Sequence, residues 1–257
     1  MTQITNILPS RSEKYKATGL TPVLFWLFFM GLLIFGIINY PDIPEWKWGN
    51  LFRINGFTVL LSTIVTFFCA IISTYANSYF KHSGQKAKFM WLCIGFTASV
   101  ILFLISDHMV PLLLGWFLMG VVMSSLIGLD AGWGEAREAR RLAQQYFLAS
   151  GVFLSCGLLF LAAYHNVITL SGLMVSVKQT PYPLIVASAL CIIIAALIQS
   201  AIFPFHKWLL SSMTAPTPAS ALMHAGFVNG SGILLTLLAY IIPVSYTHLR
   251  AHETPEH

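Results

Sequence analysis

Six polar side chains in a mostly apolar sequence have the chemistry to handle protons or small cations: Asp107, Gln199, His206, Lys207, His224 and Asn229. Five of them fall between residues 199 and 229, in and around the stretch AIFPFHKWLLSSMTAPTPASALMHAG. Histidine titrates near neutrality, so two histidines around a helix break can pass a proton between them; equally, each can be a hydrogen-bonded packing group. The break is implied by Pro204, Pro216 and Pro218, each of which removes a backbone donor and marks a helix end, start or interruption. At membrane depth, non-helical backbone survives only where protein or a water-filled cavity satisfies it, and broken transporter helices hold ions at such points. Thr217 and Ser220 are placed to cap the helix that restarts, turning its positive dipole end toward whatever His206 and His224 face.

The neighbouring groups each have a structural alternative. Lys207, beside Trp208, either belongs to the proton path or snorkels to the aqueous interface. Gln199, about one turn before Pro204, is an uncharged polar group suited to interhelical hydrogen bonding. Asn229 is expected to be a buried amide in need of partners, set among small residues that let another helix come close. Asp107 sits with His108 at the tight turn between two apolar runs, either as an ordinary polar turn residue or as a proton-access group. Every other Asp and Glu also lies in a loop, a tail or a span end, as the cost of a bilayer-centre charge, at least about 2.5–3.5 kcal/mol, demands.

The elements that must position these groups are membrane spans. The chain has 257 residues, 57% hydrophobic and only 9% charged, with a mean hydropathy of +0.76. That balance excludes a soluble globular domain. Apolar runs long enough to cross roughly 30 Å of hydrocarbon recur seven times, near 20–40, 56–79, 88–106, 109–128, 143–163, 183–203 and 219–242. The expected fold is an all-α polytopic helical bundle with a broken helix near 203–218. It has a tail over 1–19, one transmembrane domain over 20–242, and a polar tail over 243–257. The first run follows Arg11, Lys14 and Lys16 and lacks a small-residue cleavage pattern, so it reads as a retained span. The four cysteines, Cys69, Cys93, Cys156 and Cys191, have no paired spacing; neither a disulfide framework nor a metal site is expected, and no cofactor.

An isoelectric point near 9.1 invites a nucleic-acid reading, but the basic residues follow topology instead. With the N-terminus in the cytoplasm, ten Lys and Arg fall in inside segments and three, Lys47, Arg53 and Lys178, in outside loops, with Arg250 in the tail. This positive-inside bias predicts an N-in protein, with lipid rather than nucleic acid around it. The segment 130–146 reads as a solvated charged helix with Glu135 and Glu138 within about a turn of Arg141. After Ile242 periodicity stops, and SYTHLRAHETPEH resembles adapter read-through at the end of a truncated gene fragment.

The stretch FPFHKWLLSSMTAPTPASALMHAG resembles the signature of the antiporter-like subunits of NADH-quinone oxidoreductases (subunit L type) and Mrp cation/proton antiporters, roughly P-L-H-x-W-L-x-x-A-M-x-x-P-T-P-V-S-A-L-x-H-A. The match includes Pro204, His206, Trp208, Met213, Pro216, Thr217, Pro218, Ser220, Leu222 and His224. LLLGWFLMGVVMSSLIG resembles the family helix L-G-W-E-x-x-G-x-x-S-Y-L-L-I-G, and the resemblance covers about residues 50–242, the first half of the antiporter core. Phe117 stands where that helix carries Glu, Gln199 where the family carries Lys, and Asn55 where it carries Asp.

With the respiratory charged pair absent, the wording is similar to one branch, the membrane subunit (DabB type) of two-component inorganic-carbon accumulating complexes. That resemblance implies coupling of a proton or sodium gradient to carbon uptake. It also implies a large zinc-containing, carbonic-anhydrase-like partner subunit (DabA type) that hydrates CO2; the chain itself would be no enzyme. Two other readings stay open: a proton-translocating subunit of a NADH-quinone oxidoreductase or Mrp-type antiporter, and an inactive scaffold fragment.

Overall fold

The computed structural model describes residues 11–241, and the polar tail read at 243–257 lies outside the described residues. The described chain is almost entirely helical. Seven helices are long and apolar enough to cross a membrane: Gly19–Ile38, Gly56–Tyr79, Lys86–Ile105, Met109–Ile127, Gly134–His165, Tyr182–Gln199 and Thr217–Leu237. The chain is an all-α, multi-pass membrane protein.

Helix α1 spans Arg11–Ile38, so part of the segment expected to be a tail is helical. Arg, Glu and Lys are good helix formers, and they carry the helix past the apolar run. The loop that follows contains a small antiparallel hairpin, β1 (Trp46–Trp48) and β2 (Phe52–Ile54), with Lys47 opposite Arg53. Gly49, at φ +58°, takes the left-handed conformation its turn requires. Asn55 then caps α2 (Gly56–Tyr79): its side chain accepts from the Thr58 N–H at 2.9 Å, and the Asn55 N–H donates to Thr58 Oγ1 at 2.9 Å. The position where the resemblance calls for an aspartate is thus occupied by a helix cap.

Helices α3 (Lys86–Ile105) and α4 (Met109–Ile127) form a tight hairpin around residues 106–108. Helix α5 (Gly134–His165) is one continuous element of 32 residues, about 48 Å long and so longer than the hydrocarbon is thick. The charged segment at 134–146 and the expected span at 143–163 are the same helix, because no proline interrupts them. Among the described residues no ion pair joins Glu135 or Glu138 to Arg141; both ion pairs there are made by Glu45. A short α6 (Leu170–Ser176) and a 3-10 turn lead into α7 (Tyr182–Gln199).

At one end of the bundle three loops are stitched together through Asp107. Its N–H donates to the Leu51 carbonyl at 3.0 Å, and its carbonyl accepts from the Leu170 N–H at 2.6 Å. Its carboxylate accepts from the Ser171 N–H at 3.0 Å and the Ser171 hydroxyl at 2.6 Å. In the middle of the bundle the Trp116 indole donates to Ser150 Oγ at 3.2 Å, which donates to the Ala195 carbonyl at 2.9 Å, tying α4, α5 and α7. Lipid tails are as apolar as leucine, so close packing and such bonds do the work that water exclusion does in soluble cores. Gly157 shows how close: a Cβ there would meet the Ser188 carbonyl oxygen of α7 at 2.9 Å. Cys69 and Cys93 are buried, and all four cysteines are free thiols.

Candidate ion-translocation site

Helix α7 stops at Gln199, and the chain runs without regular helix to α8 (Lys207–Ser211). Ala201, at φ +54°, turns the backbone out of the helix, and Pro204 prevents its immediate return. A 3-10 turn at Ser212–Thr214 follows, then α9 (Thr217–Leu222). The helix break expected near 203–218 is therefore two interruptions flanking a short helix.

The first interruption lies between the spans Tyr182–Gln199 and Thr217–Leu237. Trp208, fully buried, packs its ring against Phe147 and Phe227 with centroids 4.8 Å and 5.9 Å apart, and the Phe147 and Phe227 rings meet at a tilt of 58° with centroids 4.4 Å apart. Phe147 lies against Gly120, where an added Cβ would approach within 2.9 Å. Gly120 is about 10 Å of helix rise from the end of α4 at Ile127. The Trp208 indole donates to the Ile198 carbonyl at 2.9 Å, an oxygen that also accepts from the Ala201 N–H at 3.2 Å. Trp208 therefore does not mark an interface; it is a plug in the bundle.

Two polar atoms at this break have no protein partner. Gln199 is 1% exposed and its Nε2 makes no hydrogen bond; His206 is half-buried, with a buried Nδ1 likewise unpaired and its ring stacked on Phe203 at 5.8 Å. The expected interhelical hydrogen bond from the Gln199 amide nitrogen is absent. Lys207 is exposed at the first residue of α8.

The second interruption differs from expectation in its cap. Pro216 is the N-cap of α9, and no side chain caps it; Thr217 is already helical and exposed, and Ser220 is one turn in. Proline at the boundary presets the entry without a side-chain acceptor. The helix then widens into a π turn at Met223–Phe227, closed by Val228 N–H to the Met223 carbonyl at 3.0 Å, before α10 (Gly230–Leu237). His224 sits on that π turn, a distortion frequent at functional sites. Asn229 is exposed rather than buried, and its Nδ2 finds the His224 carbonyl at 3.2 Å, so the wide turn supplies the partner its amide needs.

The exposed positions of this last span are Thr217, His224, Asn229, Gly232, Thr236 and Ala239. None is a large apolar residue. On α1, by contrast, the exposed positions other than Gly19 and Gly31 are Leu, Val, Trp, Phe, Met and Ile. The structure thus brings Gln199, His206 and Trp208 together at one break and places His224 with Asn229 on the polar face that follows; among the described residues no hydrogen bond joins the two histidines. Asp107 is elsewhere, in the clasp that meets the start of α6. Trp208 and the π turn are the features that sequence reasoning missed, although the Trp beside a proline-induced break was a usable signal. Phe117 lies with its ring where a Cβ on Gly151 would be, 2.3–2.8 Å away, so the α4–α5 contact is filled by an aromatic ring.

The model of the family described as "NADH:quinone oxidoreductase/Mrp antiporter, TM" matches residues 106–251. The chain is 28% identical over 203 residues to a probable K(+)/H(+) antiporter subunit of Rhizobium meliloti, covering 78% of this chain and 20% of that protein. It is 28% identical over 208 residues to the "Probable inorganic carbon transporter subunit DabB1" of Halothiobacillus neapolitanus, covering 76% and 37%. A chain of the Mrp complex from Dietzia sp. superposes with a TM-score of 0.71 at 21% identity, over 86% of this chain and 27% of that one, and so shares its fold. The chain spans about a fifth to two fifths of the length of these proteins. With more than half its length matched by the family model, it belongs to the NADH:quinone oxidoreductase/Mrp antiporter transmembrane family.

Proposed function

We propose that this chain is part of an ion-translocating membrane subunit of an inorganic-carbon accumulating complex, with protons passing the break through His206 and His224. The carrying observation is the pair of buried, unpaired polar atoms, Gln199 Nε2 and His206 Nδ1, at the interruption that separates two spans. A buried polar group left without a partner costs about 1–3 kcal/mol, so two of them at one helix break fit a solvated or ion-carrying gap. His206 supplies an imidazole that can donate or accept at either ring nitrogen, and Gln199 an uncharged amide that can orient water without fixing a charge. The π turn puts His224 on the polar face of the last described span, where the path would continue.

Phe117 and Gln199 support carbon uptake over respiratory pumping, since neither can serve as the charged relay of the respiratory subunits. In this reading a zinc-containing, carbonic-anhydrase-like partner hydrates CO2, and the membrane subunit couples that step to a proton or sodium gradient. The chain lies in a bacterial inner membrane with its N-terminus in the cytoplasm. The test is growth in air of a bacterium lacking carbonic anhydrase, complemented by the full-length subunit with its partner. Rescue that His206→Gln and His224→Ala each abolish at unchanged protein level supports the reading; rescue indifferent to both refutes the path. The likeness to a K(+)/H(+) antiporter subunit favours a second reading, cation/proton exchange. Restored potassium or sodium tolerance without rescue in air would select it.

A further inference from the structure

We infer that Trp46 and Trp48 anchor the β1–β2 hairpin in the headgroup layer of the bilayer, at the end of the bundle that holds Asp107. The hairpin lies along the membrane surface because both of its ends are fixed there. Ile54 is two residues before Gly56, the first residue of α2. At the turn, the Leu51 carbonyl accepts from the Asp107 and His108 N–H groups between α3 and α4, at 3.0 and 3.2 Å. Phe52 is bridged to Ser106 on one edge and paired with Trp48 on the other, so β1 is the outer strand, and all three of its residues are exposed.

Register makes the hairpin two-faced. Cross-strand partners share a face, so Trp46, Trp48, Phe52 and Ile54 lie on one side and Lys47 and Arg53 on the other. Glu45 accepts from Arg53 Nε and sits 3.9 Å from Lys47 Nζ. The ion-paired face needs water, which turns the aromatic face toward the bundle and the bilayer; on it Phe52 and Ile54 are half-buried. Trp46 and Trp48, 65% and 82% exposed on the outer strand, find no such cover. The same end of α1 and α2 exposes Ile37, Ile38 and Leu60, so the two rings continue a surface that already meets lipid. Tryptophan suits that level, with an apolar ring and an N–H that finds water or a lipid ester. Charge selects no headgroup, because Asp42 and Glu45 balance Lys47 and Arg53. The anchor uses no residue of the α7–α8 break and is independent of the proposed translocation.

The experiment is fluorine NMR of the chain labelled with fluorotryptophan in phosphatidylcholine nanodiscs. The Trp46 and Trp48 resonances are assigned by their loss in Trp46→Phe and Trp48→Phe, and the result is read on the unaltered chain. Two paramagnetic agents are compared: a phosphatidylcholine with a nitroxide near the top of its acyl chain, and a water-soluble gadolinium chelate. The expected result is loss of both resonances in the nitroxide lipid and survival of both in the chelate, with buried Trp116 and Trp208 as the references that the chelate leaves sharp. Survival of either resonance in the nitroxide lipid overturns the inference. Loss of either in the chelate overturns it too, by setting the rings in water as a docking surface for another protein. Replacing part of the phosphatidylcholine with phosphatidylglycerol should alter neither result; nitroxide broadening that needs the anionic lipid overturns the aromatic basis of the anchor.

Discussion

The Trp208 indole nitrogen donates to the carbonyl of Ile198 at 2.9 Å, across the interruption between α7 and α8. One side chain thereby adds a second donor to a carbonyl that already accepts from the Ala201 N–H and, through Phe147 and Phe227, pins the short helix to the bundle. Trp208→Phe keeps most of the ring and removes one buried hydrogen bond to a carbonyl that the Ala201 N–H still satisfies, so it should destabilise by about 1 kcal/mol. Trp208→Ala removes the ring as well and should cost about 3–5 kcal/mol. Unfolding of the purified protein in mixed micelles, followed by loss of helicity, measures both.

Gln199 separates function from packing. Gln199→Leu removes a buried amide nitrogen that has no protein partner and keeps a similar volume, so stability should be unchanged or rise by up to about 1 kcal/mol. Ion flux in reconstituted vesicles should fall at least about tenfold if the amide orients a proton path, which corresponds to about 1.4 kcal/mol of barrier. A stable variant with undiminished flux would make Gln199 a packing residue.

Asp107 and Ser171 define the outer clasp in the proposed orientation. The carboxylate receives both the Ser171 hydroxyl and its N–H, and charged acceptors make the stronger bonds. Asp107→Asn should cost about 1.5–3 kcal/mol and Ser171→Ala about 1 kcal/mol. The double variant should fall short of their sum, since each removes the same contact. Transport in either variant should scale with the amount of folded protein, because the clasp stands apart from the α7–α8 break; a proton-access role for Asp107 would instead show as lost flux at full folding.

The spans were legible in the sequence because hydrocarbon thickness and backbone satisfaction leave few alternatives to long apolar helices. Pro204 and Pro216 announced the interruptions for an equally local reason, the missing donor. Their bridging was not legible: that Trp208 would reach back to Ile198 depends on where α5 places Phe147, far away in the chain. The π turn that carries His224 lies against Phe96, which a Cβ on Gly226 would approach within 3.1 Å, a contact distant in the chain and so not legible locally. Asp107 illustrates the opposite failure. A polar residue in a tight turn looked ordinary, and its burial to 7% exposure follows from two other loops folding over it.

Phe117 and Gly151 make the α4–α5 contact a lock that one methyl group should break. A Cβ on Gly151 would fall 2.3–2.8 Å from three atoms of the Phe117 ring, far inside van der Waals contact. Gly151→Ala should therefore force the ring aside and destabilise by about 1–3 kcal/mol, although alanine is intrinsically the better helix former by about 1 kcal/mol. Phe117→Leu in the same chain removes the offending ring atoms and should recover most of that loss, leaving the propensity gain in view. A double-variant cycle read by micelle unfolding should give a coupling of at least about 1 kcal/mol, and a coupling near zero would show that α4 and α5 part without resistance at this level. The cycle bears on function as well. Phe117 holds the place of the family's glutamate, and if carbon uptake needs no charge there, the restored Gly151→Ala, Phe117→Leu protein should transport at the rate of the original.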